Sequence, residues 1–370
     1  MLKKVIKALL KFLPLRNIIL FESVPDLSDN TFPVYEELVR RGYGRKYKLV
    51  WSCMNPPRDD YPRGHNEKYV YCGNKILTVY YQYVSKVIIC CNRFLGCGRK
   101  GQTVYYLMHG VPIKHVRSYY TCPEYVDYMI TPGEKVNKLC SSEFNIGEEK
   151  CLGLGYPRND ALFSPINISD ICGSFKKYIL WYPTVRQFQG GRTTGCRNSI
   201  PIIHDEANLR ELNEEAAKDD TLIIVKPHFA QIKENIKKME LSNIIFIDED
   251  FFIDNSILPY QFVGACDALL TDYSSVYYDY LNVDKPVGLI WEDIEDFRKN
   301  PGVIDDFEDL MIGGEKIYNI DDLKSFVLNV SKDVDELKDE RKKVHSVVNK
   351  SSKSDKTKCV TDFICDRLKL

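Results

Sequence analysis

The chain has no apolar run of the roughly 18 residues that a membrane-spanning helix requires. It also has no excess of either charge. Lys and Arg number 51 against 52 Asp and Glu, a formal net charge of -1. That excludes the broad basic field of a nucleic-acid-binding protein, so no nucleic acid is expected as a partner and any anion must be held by local basic segments. Of thirteen cysteines, none forms a Cys-x-x-Cys pair. No Cys/His cluster has zinc-site spacing, so the thiols read as reduced and mostly buried, with no metal site and no cofactor. There is no internal repeat and no long low-complexity tract. Over 370 residues, 44% hydrophobic content is enough for two cores.

Leu2, Val5, Ile6, Leu9, Leu10 and Leu13 fall at helical spacing on one face. Lys3, Lys4, Lys7 and Lys11 fall largely opposite, and Pro14 limits the helix. Residues 1–16 therefore read as an amphipathic helix lying on an anionic membrane surface. Beyond it, short β-rich runs alternate with helical patterns. Strands are expected at Asn17–Glu22, Tyr47–Ser52, Lys86–Cys91, Thr103–Met108, Val126–Thr131 and Lys150–Leu154. Helices are expected between them, as at Pro33–Arg41 and Gly133–Cys140. Phe163–Gly173, with Pro165 and scattered polar residues, breaks the rhythm and reads as a linker. A second series follows at Tyr178–Tyr182, Thr221–Val225, Asn243–Asp248, Ala268–Thr271 and Val287–Trp291, with a Gly/Arg/Thr-rich loop at Gly190–Ser199. The expected organisation is a first Rossmann-like domain over 17–165, a second over 174–320, and charged helices over 321–370. Alternation of this kind predicts an α/β fold with parallel sheets and a cleft between the two domains. Ligands in such sheets bind beyond the C-terminal strand ends.

The residues just after strands are therefore the informative ones. Gly96-Cys97-Gly98-Arg99-Lys100-Gly101 has dinucleotide-loop spacing, but it precedes a strand instead of following one, and reads as a turn. His109 ends an expected strand. A histidine there suits proton transfer, and Gly110 and Pro112 shape the turn leading to Lys114. Lys226-Pro227-His228 repeats the arrangement in the second half, where Lys226 and His228 suit phosphate. Thr271-Asp272-Tyr273-Ser274-Ser275 opens a helix at Val276–Leu281. Capping explains one hydroxyl; two adjacent serines supply more than a cap needs. Thr184 and Arg186 follow one strand, and Arg158, Asn159 and Asp160 follow another. Each segment brings a guanidinium suited to bidentate phosphate contact.

In order along the chain, Phe21-Glu22-Ser23 with Asp29-Asn30, His109 to Lys114, Gly155 to Asp160, Pro183 to Arg186, Lys226-Pro227-His228 and Thr271 to Ser275 resemble the CDP-glycerol glycerophosphotransferase family of teichoic acid synthesis. The resemblance covers roughly 17–315. It departs from the family pattern at Val111, Tyr182 and Phe229. It implies a GT-B architecture with the donor on the second domain, and metal-independent transfer at the cytoplasmic face of the cell membrane by a peripheral enzyme. It also implies a CDP-glycerol or CDP-polyol donor and a lipid-linked saccharide or polymer acceptor. The site expected on these grounds has His109 and His228 as catalytic residues. Arg186, Thr184, Lys226, Asp272, Ser274 and Ser275 hold the donor phosphates, and Gly110, Lys114, Arg158, Asn159 and Asp160 support them. A sugar-transferring GT-B enzyme and a catalytically idle envelope-assembly protein are the competing expectations.

Overall fold

A computed structural model describes residues 10–59, 61–117, 120–184, 187–188, 192–193, 200–227, 239–350 and 355–368. Most of the amphipathic segment 1–16, most of 190–199, and the candidates Arg186 and His228 lie outside the described residues.

The chain forms two compact units. The first contains β1 (Arg16–Glu22), α1 (Thr31–Arg40), β2 (Lys48–Cys53), β3 (Glu67–Tyr71), α2 (Lys75–Val84), β4 (Ser85–Cys90), β5 (Thr103–Tyr106), β6 (Tyr128–Ile130), α3 (Asn137–Phe144) and β7 (Cys151–Leu152). These seven strands make one sheet in the order β3-β2-β1-β4-β5-β6-β7, and every pair is parallel. β1 and β4 are buried along most of their length, which is why they read as unbroken apolar runs. Phe21 stacks on Trp51 at 5.1 Å and meets Tyr35 of α1 edge-on at 5.5 Å, joining helix to sheet.

The second unit contains β8 (Lys177–Trp181), α4 (Glu206–Lys218), β9 (Thr221–Val225), β10 (Ile244–Phe246), α5 (Glu249–Asp254), α6 (Pro259–Ala265), β11 (Ala268–Thr271), α7 (Val276–Tyr280), β12 (Val287–Ile290), β13 (Glu315–Ile317), α8 (Ile320–Ser331) and α9 (Lys338–Val348). Its six strands are again all parallel, in the order β10-β9-β8-β11-β12-β13. Leu209 and Leu212 of α4 and Phe326 and Val327 of α8 pack on Ile179, Ile223 and Leu270 of the sheet. A short antiparallel pair, Gln187–Phe188 with Arg192–Thr193, stands apart from the sheet.

Both sheets have the doubly wound order, in which the strand direction of travel reverses beside the first strand. The reversal lies between β1 and β4 in the first unit and between β8 and β11 in the second. β3 and β13 were not expected. β3 carries Glu67 and Lys68 and is half-exposed, and β13 has only three residues, so neither shows an apolar run.

The expected boundaries also shift. The second unit begins at Ala161, so the proposed linker 163–173 lies within it, and Pro112–His115 also packs with that unit. Lys114 forms an isolated antiparallel bridge with Val303 there. The helices expected as one charged tail over 321–370 divide. α8 and α9 stay in the second unit, where buried Arg341 pairs with Asp335. α10 (Lys356–Leu368) returns to the first. It buries Val360, Ile364 and Leu368 among Phe21, Leu38 and Tyr105, and Arg41 ties Asp362 at 2.6 Å. Charge on its outer face concealed this apolar stripe. Among the described residues, no helix is long and apolar enough to cross a membrane.

Candidate functional site

In the first unit the site grows from the loops after β1, β4 and β5. His109 is exposed, three residues past the end of β5. The residue before it, Met108, has φ +51, a conformation unusual for a side chain of this kind. Asn30 supports the turn, donating from Nδ2 to the carbonyls of Leu107 at 3.2 Å and Met108 at 2.9 Å. The guanidinium of Arg158 donates to the His109 carbonyl at 3.0 Å and to Asp29 at 2.6 Å. The peptide on either side of the imidazole is thus held by buried groups.

The ring is oriented separately. His109 Nδ1 lies 2.9 Å from the Cys91 carbonyl oxygen. A carbonyl can only accept, so Nδ1 carries a proton, and in the neutral ring Nε2 then keeps its lone pair. The surrounding hydroxyls agree with that assignment. Tyr120 donates to the Asn92 carbonyl. Tyr106 Oη, 3.2 Å from Tyr120 Oη, then donates to it and turns its own lone pair toward Nδ1 at 3.4 Å. Burial pushes the Tyr120 hydroxyl up to about 12, so it stays a proton donor at neutral pH. Among the described residues Nε2 has no hydrogen-bond partner.

In the second unit the corresponding position beside the strand reversal holds Thr184 and Asp272. Asp272 is fully buried at the end of β11. Its carboxylate accepts the Thr184 N–H at 3.0 Å, the Thr184 hydroxyl, and the Tyr273 N–H at 2.7 Å. Tyr273 is fixed in turn by its hydroxyl bond to Asp293 at 2.9 Å and by stacking on Phe297. Burial lowers the pKa of Lys114, and the nearby Asp272 carboxylate works in the opposite direction. Lys114 therefore belongs electrostatically with this cluster. Ser274 accepts weakly from the Val276 N–H at 3.4 Å, while Ser275 occupies the cap position without a side-chain cap bond. The hydroxyl surplus read from the sequence persists. α7, however, has only five residues, so its dipole is small.

Of the residues expected to hold the donor phosphates or to support the cleft, several have partners within the protein. Asp272 shapes the turn, as its negative charge suits backbone donors and not phosphate. Arg158 positions His109. Asp160 caps α10 through the N–H groups of Lys356 and Thr357 at 3.1 and 2.8 Å. Asn159 is buried, its N–H bonded to the Tyr156 carbonyl. Lys226 forms a 2.6 Å pair with Glu249 and lies over the Tyr182 ring. Burial works to lower its pKa, but Tyr182 and Glu249 outweigh that and raise it. Gly110 follows His109 and is half-buried.

Two Asp-x-Asp spacings are structural. Asp248 caps α5, while Asp333 pairs with Lys177 and Asp335 with Arg341. Among the described residues no group of three His, Cys, Asp or Glu is arranged to hold a metal. Gly96, Gly98 and Gly101 all have positive φ, as a turn needs. The Glu22 role described below was not read from the sequence, although an acid closing the apolar run Ile18–Phe21 was the available signal.

Two doubly wound parallel sheets, each with its candidate groups in the loops after the C-terminal strand ends, define the GT-B class of fold. The chain matches the model of the CDP-Glycerol:Poly(glycerophosphate) glycerophosphotransferase family over residues 6–366, and it belongs to that family. It is 27% identical over 320 residues to a teichoic acid poly(glycerol phosphate) polymerase of Staphylococcus epidermidis, covering 76% of this chain and 41% of that protein. It is 24% identical over 376 residues to a teichoic acid poly(ribitol-phosphate) polymerase of Bacillus spizizenii, covering 90% and 56%. The chain thus spans about half the length of these two relatives. The wall teichoic acid polymerase TagF shares the fold, with a TM-score of 0.77 at 20% identity, covering 99% of this chain and 94% of that one.

Proposed function

We propose that this protein transfers glycerol phosphate, or a related polyol phosphate, from a CDP-activated donor to a hydroxyl of a lipid-linked envelope acceptor. In this reading His109 Nε2 takes the proton of the acceptor hydroxyl. The hydroxyl oxygen forms a bond to the β-phosphorus, the bond from that phosphorus to the bridging oxygen breaks, and CMP leaves. Ser274, Ser275 and Lys114 hold the pyrophosphate oxygens, joined by Arg186 and His228 from outside the described residues. Catalysis then rests on positioning and on charge stabilisation of the phosphates. Lys114 and Arg186 supply the positive charge, and no bridging divalent ion is needed.

The observation that carries the reading is the Nδ1–H···O=C bond from His109 to Cys91, because it leaves an exposed histidine with its basic nitrogen available. Family membership supplies the chemistry, and a structure of TagF was obtained after soaking with CDPG. Attachment to the cytoplasmic face of the membrane through the basic segment 1–16 belongs to the same proposal.

The test offers CDP-glycerol, CDP-ribitol and UDP-sugars with a lipid-linked acceptor, with and without chelator, and identifies products by mass spectrometry. CMP release from a CDP-polyol that persists in chelator is expected. His109→Ala should lower turnover by about 10²–10⁴-fold while donor binding holds. UDP release, or near-normal turnover of the variant, would overturn the reading.

A further inference from the structure

We infer that Glu22 is the positioning residue that fixes the proton on His109 Nδ1, acting through two peptide groups it never leaves free to turn. This inference deepens the proposed role of His109 and rests on it for its catalytic consequence. Glu22 is completely buried at the end of β1. Its Oε2 collects three successive backbone N–H groups from the loop after β4: Cys91 at 3.3 Å, Asn92 at 3.1 Å and Arg93 at 3.0 Å. Its Oε1 accepts from Arg93 Nε at 3.0 Å, and that guanidinium is anchored on the Ser52 carbonyl at 3.0 Å.

The geometry of the peptide bond turns this cage into an orienting device. A trans peptide is planar, with N–H and C=O pointing in opposite directions. The Asn92 N–H and the Cys91 carbonyl belong to one peptide plane, and the Arg93 N–H and the Asn92 carbonyl to the next. With both N–H groups aimed at Glu22, both carbonyls are aimed away from it. Those carbonyls are the two terminal acceptors of the histidine network: Cys91 O accepts the hydrogen bond from His109 Nδ1–H, and Asn92 O accepts that from the Tyr120 hydroxyl. A single buried charge therefore sets the direction of both acceptors. A flipped Cys91–Asn92 peptide would present N–H to the imidazole, which would then accept at Nδ1 and carry its proton on Nε2. The base would be lost with the ring still in place.

Only a full carboxylate can do this. A glutamine keeps one oxygen for the three N–H groups but gives up the negative charge that holds them, and its amide would face Arg93 Nε donor to donor. Glu22→Gln should therefore free at least one of the two planes.

The experiment combines kinetics with ¹⁵N NMR of histidine-labelled protein at alkaline pH, where imidazoles are neutral. The His109 signal among the six histidines is assigned by its disappearance in His109→Gln. Wild type should show the Nδ1–H form. Glu22→Gln should shift His109 toward Nε2–H and lower kcat by about 10²-fold, with donor KM unchanged. Glu22→Asp, which keeps the charge, should restore part of both. An Nε2–H form in wild type overturns the inference without any variant, which covers failure of Glu22→Gln to fold. A folded Glu22→Gln with an unchanged His109 signal overturns it as well. The NMR result is independent of turnover. If His109→Ala proves active, the base assignment fails while the link from Glu22 to the tautomer is still decided.

Discussion

Replacing Asp272 by Asn tests whether the second unit is organised as described. The buried carboxylate accepts two N–H groups and a hydroxyl, from Thr184 and Tyr273. Asparagine is nearly isosteric but offers one oxygen, and its amide group must face a Thr184 or Tyr273 donor. Hydrogen bonds to a charged group contribute about 1.5–3 kcal/mol each, and a buried donor left without an acceptor costs about 1–3 kcal/mol. Some bonds survive on the remaining oxygen, so the expected loss is about 2–4 kcal/mol. For a unit of this size that lowers Tm by about 5–15 °C. Loss of the neighbouring carboxylate also lets the pKa of Lys114 fall further, because burial then acts unopposed by Asp272. The assay is calorimetry on wild type, Asp272→Asn, Thr184→Val and the double variant. A coupling energy of about 1–3 kcal/mol is expected, since the two side chains share one network. Unchanged melting of Asp272→Asn, or strict additivity with Thr184→Val, would refute the assignment of Asp272 as the organiser of the Thr184 turn.

Removing both hydroxyls in Ser274→Ala with Ser275→Ala should weaken donor binding about tenfold or more in calorimetric titration, with little change in melting, because the single cap bond is long. Reduced stability with unchanged affinity would make these serines caps alone. Truncation before Lys356 removes Val360, Ile364 and Leu368 from the first core, each burial being worth about 1.5–3 kcal/mol. The melting transition of the first unit should therefore fall while that of the second stays in place; equal effects on both would refute the assignment of α10.

Where the sequence was most legible, burial on both sheet faces was the reason. β1, β4, β8, β9 and β11 are near-continuous apolar runs, and each was located to within a residue or two. The half-exposed β3 and three-residue β13 carried no such pattern. His109, Thr184 and Ser274 could be singled out because they directly follow strands. What they bond to could not, since pairings such as Thr184 with Asp272 cross 88 residues. Charge also misled in one direction. Arg158, Lys226 and Asp160 looked like ligand-facing groups, yet their partners Asp29, Glu249 and the start of α10 occupy them. A strand-end charge declares that something polar must meet it, and the sequence does not say whether that partner is substrate or protein.

The return of α10 to the first unit fixes an order of events during synthesis. All seven strands of the first sheet have been synthesised once Leu152 is added, but the helix that covers Phe21, Leu38 and Tyr105 is made roughly two hundred residues later. At translation rates of about 5–20 residues per second, that interval is on the order of 10–40 s. Throughout it the second unit is being completed, while the first keeps an apolar seat exposed to solvent. Nascent chains should therefore finish folding in the reverse of the order in which their sheets are made. The uncovered seat of α10 is the surface on which a chaperone, or a neighbouring nascent chain, would first take hold.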